Sequence, residues 1–435
     1  MTPLFIALFC FIGLFVLVLA TVPIGIALTA VGLVGFAMQA GWPSAFTVLS
    51  GDPSALLSSP DFATVPLFVL MGACAGAAGF SADLYGAAAA LIGHRRGGLA
   101  HATILGSAAF GSVCGSSPAT AATFTKVALP EMLRRGYSPS FSAGTIAAGG
   151  TLKSLIPPSL LMIIYSLVAK TFILDLFLAA LIPAILTIIF NLIAIWIMAR
   201  WKPELAPTSP PLPWSERWQA IVKAGPALLL LVVVFGGLYS GIFTINEGAS
   251  VAALLSIAAA FIRRRLTIKQ LFDSLLESAS VTVMLFIILF GAYVFSYALT
   301  LGQVPSTAVA AIGNLGVNPW ELIILLLIFY LVLGTVFDEL AAVIVTTPYV
   351  LPLVVAAGFD PIWWGVICVI QVELSLIHPP FGIIGFVIHR VDPRIPIRSV
   401  YKGVIPFIIA DALVLVLLVL FPQLALWLPT AMRGF

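Results

Sequence analysis

The chain has 435 residues, 61% of them apolar and 9% charged, with a mean hydropathy of +1.17. Soluble domains carry about 25% charged residues, so a water-soluble fold is excluded. The net charge of +3 sits in short basic clusters between apolar segments, which fits anchoring at a membrane face and argues against nucleic-acid binding.

A spanning helix needs about 20 predominantly apolar residues. Segments near 4–20, 22–40, 62–80, 172–199, 224–241, 244–262, 278–300 and 403–428 read as full spans. The first 25 residues hold no Lys or Arg and no small-residue cleavage pattern, so the first segment reads as a retained span. A membrane barrel would show alternating segments of about ten residues, whereas these runs are continuous. The expected fold is therefore all-α and polytopic. Cys10, Cys74, Cys114 and Cys368 stand in apolar context without CxxC spacing and read as packing residues.

Inside the first half the chain is interrupted at GSSPAT (115–120) and GGTLKSLIPPS (149–159). A Pro-rich polar stretch with Trp201, Trp214 and Trp218 follows and reads as an interfacial linker, dividing the chain into 1–200, a linker at 201–219, and 220–435. The second half is interrupted at GTVFDELAA (334–342) and ELSLIHPPFG (373–382).

An offset of 222 residues pairs Pro130 with Pro352, Gly136 with Gly358, Pro139 with Pro361, and Pro157-Pro158 with Pro379-Pro380. Pro183 and Pro406 match at an offset of 223. Gly and Pro punctuation at one spacing marks an internal repeat. Arg134 and Arg135 precede the Gly136 turn, while its counterpart carries Asp360 and no base. By the positive-inside rule the first turn is cytoplasmic and the second external, which makes the repeats inverted.

Non-helical backbone at membrane depth is tolerated only where protein buries it or it lines a cavity. Paired broken segments in two repeats are the sequence pointer to a transporter's binding site. The tip Gly115-Ser116-Ser117 offers oxygens suited to a hard cation, and the second half presents Asp338 and Glu339 at the same offset. An intramembrane carboxylate is a functional candidate by default, a helix-capping Asp being the alternative for Asp338. The solute or coupling candidates are Thr120, Lys153, Ser159, Glu373, Ser375 and His378, with Pro157, Pro158, Pro379 and Pro380. Glu373 and His378 leave proton coupling open; for His378 a hydrogen-bonded packing role is the plainer reading.

At these motifs the chain resembles the large membrane subunit of tripartite ATP-independent periplasmic (TRAP) transporters. The resemblance runs through VPLFVLMG (65–72), GSSPATAAT (115–123), GGTL followed by IPPS (149–159), GIFTINEGA (241–249), FDELAAVIVTTPYVLP (337–352), GFDPIWWGV (358–366) and HPPFG (378–382). It implies an elevator-type secondary transporter of the ion transporter superfamily kind, in the bacterial inner membrane, with two re-entrant hairpins and two broken helices. It implies sodium as coupling ion, no transition metal or other cofactor, and no enzymatic activity. It further implies two separate partners, a small four-helix membrane subunit and a periplasmic substrate-binding protein, and organic anions such as dicarboxylates or sialic acid as solutes. The family's hairpin-tip and broken-helix positions fall on Ser116, Ser117, Gly149, Gly150, Thr151, Asp338 and Pro379, and the sodium-binding candidates are Ser116, Ser117, Gly149, Gly150, Thr151, Asp338 and Glu339.

The family's usual GGTLG is GGTLK here, which puts Lys153 four residues ahead of Pro157. Three roles are open to it: replacing one sodium, holding a solute carboxylate, or snorkelling to a watery cavity or pairing with an acid. A channel, a membrane enzyme and the permease of an ATP-driven importer are the rival classes. The chain has no HExxH motif and no P-loop.

Overall fold

The computed structural model describes residues 2–58, 60–314 and 316–433, and among these it is helical with no strand. The first half opens with α1 (Pro3–Leu19), α2 (Ile24–Ala40) and α3 (Trp42–Ser58). Next come α4 (Pro60–Ala77) and α5 (Phe80–Ile92), bent by 62° at a break that includes Gly79, whose φ is +76°. Helices α6 (Gly98–Cys114) and α7 (Ser117–Arg134) form a hairpin. After it α8 (Pro139–Thr151) runs into a 3-10 turn at Leu152–Ser154, the double proline, and α9 (Leu160–Ala169). The long α10 (Ile173–Trp201) closes the half.

The second half begins with α11 (Trp214–Tyr239), α12 (Ile245–Ile262), α13 (Ile268–Leu301) and α14 (Val304–Asn314). A second hairpin, α15 (Pro319–Val336) and α16 (Glu339–Ala356), is followed by α17 (Pro361–Ile377), the second double proline, and α18 (Ile383–Val391). Helices α19 (Ile397–Leu420) and α20 (Gln423–Arg433) end the chain. Among the described residues α10, α11, α12, α13, α16 and α19 are long and apolar enough to cross a membrane, and the bent α4–α5 pair makes a seventh. The chain is an all-α, multi-pass membrane protein.

The repeat is visible in the element boundaries. The offset of 222 carries Ser117, the first residue of α7, onto Glu339, the first of α16, and Pro139 of α8 onto Pro361 of α17. The hairpin tips and the breaks therefore occupy corresponding places in both halves.

Three sequence expectations need correction. The segment 403–428 is two helices, because Phe421 ahead of Pro422 takes a non-helical conformation (φ −127°, ψ 74°) and α19 stops at Leu420. The segment 62–80 ends short, at Ala77, where the Gly79 bend begins. The linker read as 201–219 is shorter: α10 includes Trp201, the run of prolines ends at Pro213, and α11 starts at the next residue.

Helices α2 and α13 pack backbone to backbone through small residues. A Cβ on Gly32 would lie 2.6 Å from the Phe295 backbone nitrogen, and one on Gly291 would lie 2.3 Å from the Gly25 carbonyl oxygen. Helix α8 is buried from Phe141 to Thr151 and packs against α6, α7, α17 and α19, which sets it at the centre of the broken-helix bundle. Gly32→Leu is expected to force α2 off α13 and lower the melting temperature in detergent by more than about 5 °C. Gly86→Ala on α5, where a Cβ meets nothing within 4 Å, should leave it unchanged or higher.

Candidate functional site

Both hairpin tips are built from helix caps. Gly115 ends α6 with a φ of +71°, a conformation that favours glycine, and Ser116 starts α7 by accepting the Ala119 N–H on its Oγ. At the other tip Asp338 starts α16 by accepting the Leu340 N–H at 3.1 Å. Asp338 is thus the capping residue that its sequence context allowed, and it also faces open space. Glu339, one residue on, turns inward and is buried.

Between the tips lies a cavity of about 410 Å³. Gly115, Ser116, Asp338 and Glu339 border it, with Pro158 from the first break and Glu277 from α13. Three helices begin at its wall: α7 with Pro118 and Ala119, α9 with Leu160, and α16 with Glu339 and Leu340. Helix N-termini carry partial positive charge and unpaired N–H groups, so the wall offers anion-binding ends beside three carboxylates.

Beneath the cavity is a buried charge cluster. Lys153, on the 3-10 turn after α8, points its Nζ at Glu339 Oε1 (3.0 Å) and the Gly115 carbonyl (3.2 Å), with Glu373 Oε1 at 3.6 Å. Its side chain is 0% exposed, so it pairs with acids and does not snorkel. Glu373 accepts from Ser117 Oγ on both oxygens (2.9 and 2.7 Å) and from Ser154. Residues from both tips and both broken helices meet here, although they lie up to 258 positions apart between Gly115 and Glu373.

The remaining candidates sit around this centre. Thr120 Oγ1 donates to the Ser116 carbonyl, and Thr151 donates to Ala148. Gly149 packs on Ser107 and Gly150 on Ala121 and the Ser117 carbonyl, just under the first tip. Ser159 caps α9, Pro157 is buried behind it, and Ser375 bonds back to Val372 in its own helix. The second break stands apart from the cavity. His378 engages the Pro379 carbonyl, Pro380 accepts from Tyr401, and none of the three borders the cavity.

Sequence reasoning missed Ser154, Glu277 and a buried pair in which Asn191 on α10 donates to Asp411 on α19 at 2.9 Å. Asp411 lies inside an apolar span, and an intramembrane acid is itself a signal that would have found it.

Caps, a cavity and a buried charge cluster at broken helices in an apolar bundle are the parts of a membrane transporter. Residues 11–424 match the family model of the Tripartite ATP-independent periplasmic transporter, DctM component, and the chain belongs to that family. It is 34% identical over 399 residues to a C4-dicarboxylate TRAP transporter large permease protein of Pseudomonas aeruginosa, covering 88% of this chain and 93% of the relative. It is 31% identical over 413 residues to an ectoine TRAP transporter large permease protein of Halomonas elongata, covering 95% and 96%. These relatives are permease proteins, not enzymes. The fold is similar to the YdaH transporter of Alcanivorax borkumensis, with a TM-score of 0.60, 16% identity and coverage of 98% and 99%.

Ser117→Ala removes a hydroxyl that serves both Glu373 oxygens, and is expected to cost about 1–3 kcal/mol, seen as a lower melting temperature. Ser375→Ala loses a back-bond within its helix, leaves no buried charge short of a partner, and should cost less, about 0.5–1 kcal/mol.

Proposed function

We propose that the chain is the transport subunit of a sodium-driven, binding-protein-dependent uptake system that imports a small organic carboxylate across the bacterial inner membrane. The carrying observation is the convergence of three helix N-termini and three carboxylates on one cavity between two hairpin tips. A solute carboxylate meets the N-termini of α7, α9 and α16, and positive ions meet Asp338, Glu277 and the tip oxygens. An anion entering beside three acids is held only if cations enter with it, which favours symport over uniport.

The two hairpins are re-entrant and, with the broken helices, move together as an elevator past a scaffold that includes α2 and α13. The matched repeat boundaries support this division, since each half contributes one tip and one broken helix to the same buried charge cluster. A small membrane subunit braces the scaffold, and a periplasmic binding protein delivers the solute. The C4-dicarboxylate relative supports a dicarboxylate as the first solute to try.

The test is uptake of radiolabelled succinate into proteoliposomes holding the chain, its small subunit and its binding protein, with sodium and pH varied separately. Uptake should fall to the level of empty vesicles when choline replaces sodium, and should persist when only the pH gradient is collapsed. Asp338→Asn should raise the sodium concentration for half-maximal uptake by roughly tenfold or more, the worth of one charged ligand. Uptake indifferent to sodium would refute the coupling.

A further inference from the structure

An ammonium has three N–H donors, and three oxygens surround Lys153 Nζ: the Gly115 carbonyl, Glu339 Oε1 and Glu373 Oε1. Two of the donors are bonded, to Gly115 and Glu339, the third faces Glu373 at ion-pair distance, and with the side chain 0% exposed the ammonium is closed off from a solute carboxylate in the cavity. Each oxygen comes from a different interruption of the chain, and Lys153 stands on the remaining one. The neighbouring helix makes room for it, since a Cβ on Gly111 of α6 would fall 2.5 Å from Lys153 Cβ.

A carbonyl and two carboxylates are the oxygen set that a small hard cation takes. Two carboxylates buried in an apolar bundle also require compensating positive charge. We propose that the Lys153 ammonium is a resident cation, tethered where a free ion would otherwise bind, so that this chain closes its transport site with one fewer free cation. The proposal rests on the sodium-coupling reading only for the identity of the ion displaced.

A tethered cation does not leave when the site opens. The charge holding Gly115 of the first tip to Glu339 of the second is therefore constant through the cycle, and ions taken up serve only the outer cavity.

The experiment is a sodium titration, against choline, of the melting temperature of the full chain co-purified with its small membrane subunit. Wild type is compared with Lys153→Gly and with the double variant Lys153→Met, Glu339→Gln, which removes both signs of charge together. Lys153→Gly is expected to gain a sodium-dependent stabilisation absent from wild type, its sodium dependence steeper by about one ion. The double variant should not gain it. Identical titrations for wild type and Lys153→Gly, or equal gains in both variants, would overturn the proposal.

If Lys153→Gly does not survive purification in choline, recovery in sodium alone supports the tethered cation, and loss in both salts overturns it. A wild type that ignores sodium while Lys153→Gly responds would remove the sodium-coupling reading and leave the tethered cation standing.

Discussion

A charge inside an apolar bundle has to find its partners within the protein, and Lys153 finds them on three separate segments. That requirement organises the centre of the molecule. Helix α8 must be narrow enough to bring the lysine in, α6 must carry glycine at 111 to admit it, and both tips must end at the same depth. Breaking such a buried pair from one side typically costs about 3–5 kcal/mol, so the cluster also locks the tips to the broken helices.

The same constraint explains why the interruptions occur in pairs. Each hairpin or break frees backbone groups that water cannot reach in a bilayer, and each is answered by a cap or by an opposing segment. Ser116, Asp338 and Ser159 cap the helices that start there, and Gly115 offers its freed carbonyl to Lys153. The two halves answer differently at the second break, where His378 and Pro380 are met by local and neighbouring partners away from the cavity. The centre is therefore asymmetric although the repeat is not: the first half supplies the cation and the second supplies both acids.

Much of this was legible in the chain, because Gly and Pro punctuation acts locally. The tips at Gly115 and Asp338, the breaks at the double prolines and the offset of 222 follow from residues that cap or break a helix where they stand. What needed coordinates was pairing. Asp338 and Glu339 are adjacent in sequence, yet the N-cap position turns one toward the cavity and the next toward Lys153. Asn191 and Asp411 meet across 220 positions, and no local pattern joins them. The break at Phe421 was missed because hydropathy averages over a window and the apolar run continues through Pro422.

In the proposed elevator the cavity between the tips opens alternately to the two sides of the membrane. Ala119, exposed at the start of α7 and bordering the cavity, reports this directly as Ala119→Cys in a chain whose Cys10, Cys74, Cys114 and Cys368 are replaced. Labelling by a membrane-impermeant maleimide, in right-side-out and inside-out vesicles, should switch sides when sodium and solute are added with the partner proteins. Labelling from one fixed side in every condition, or from both sides at once, would contradict a moving site.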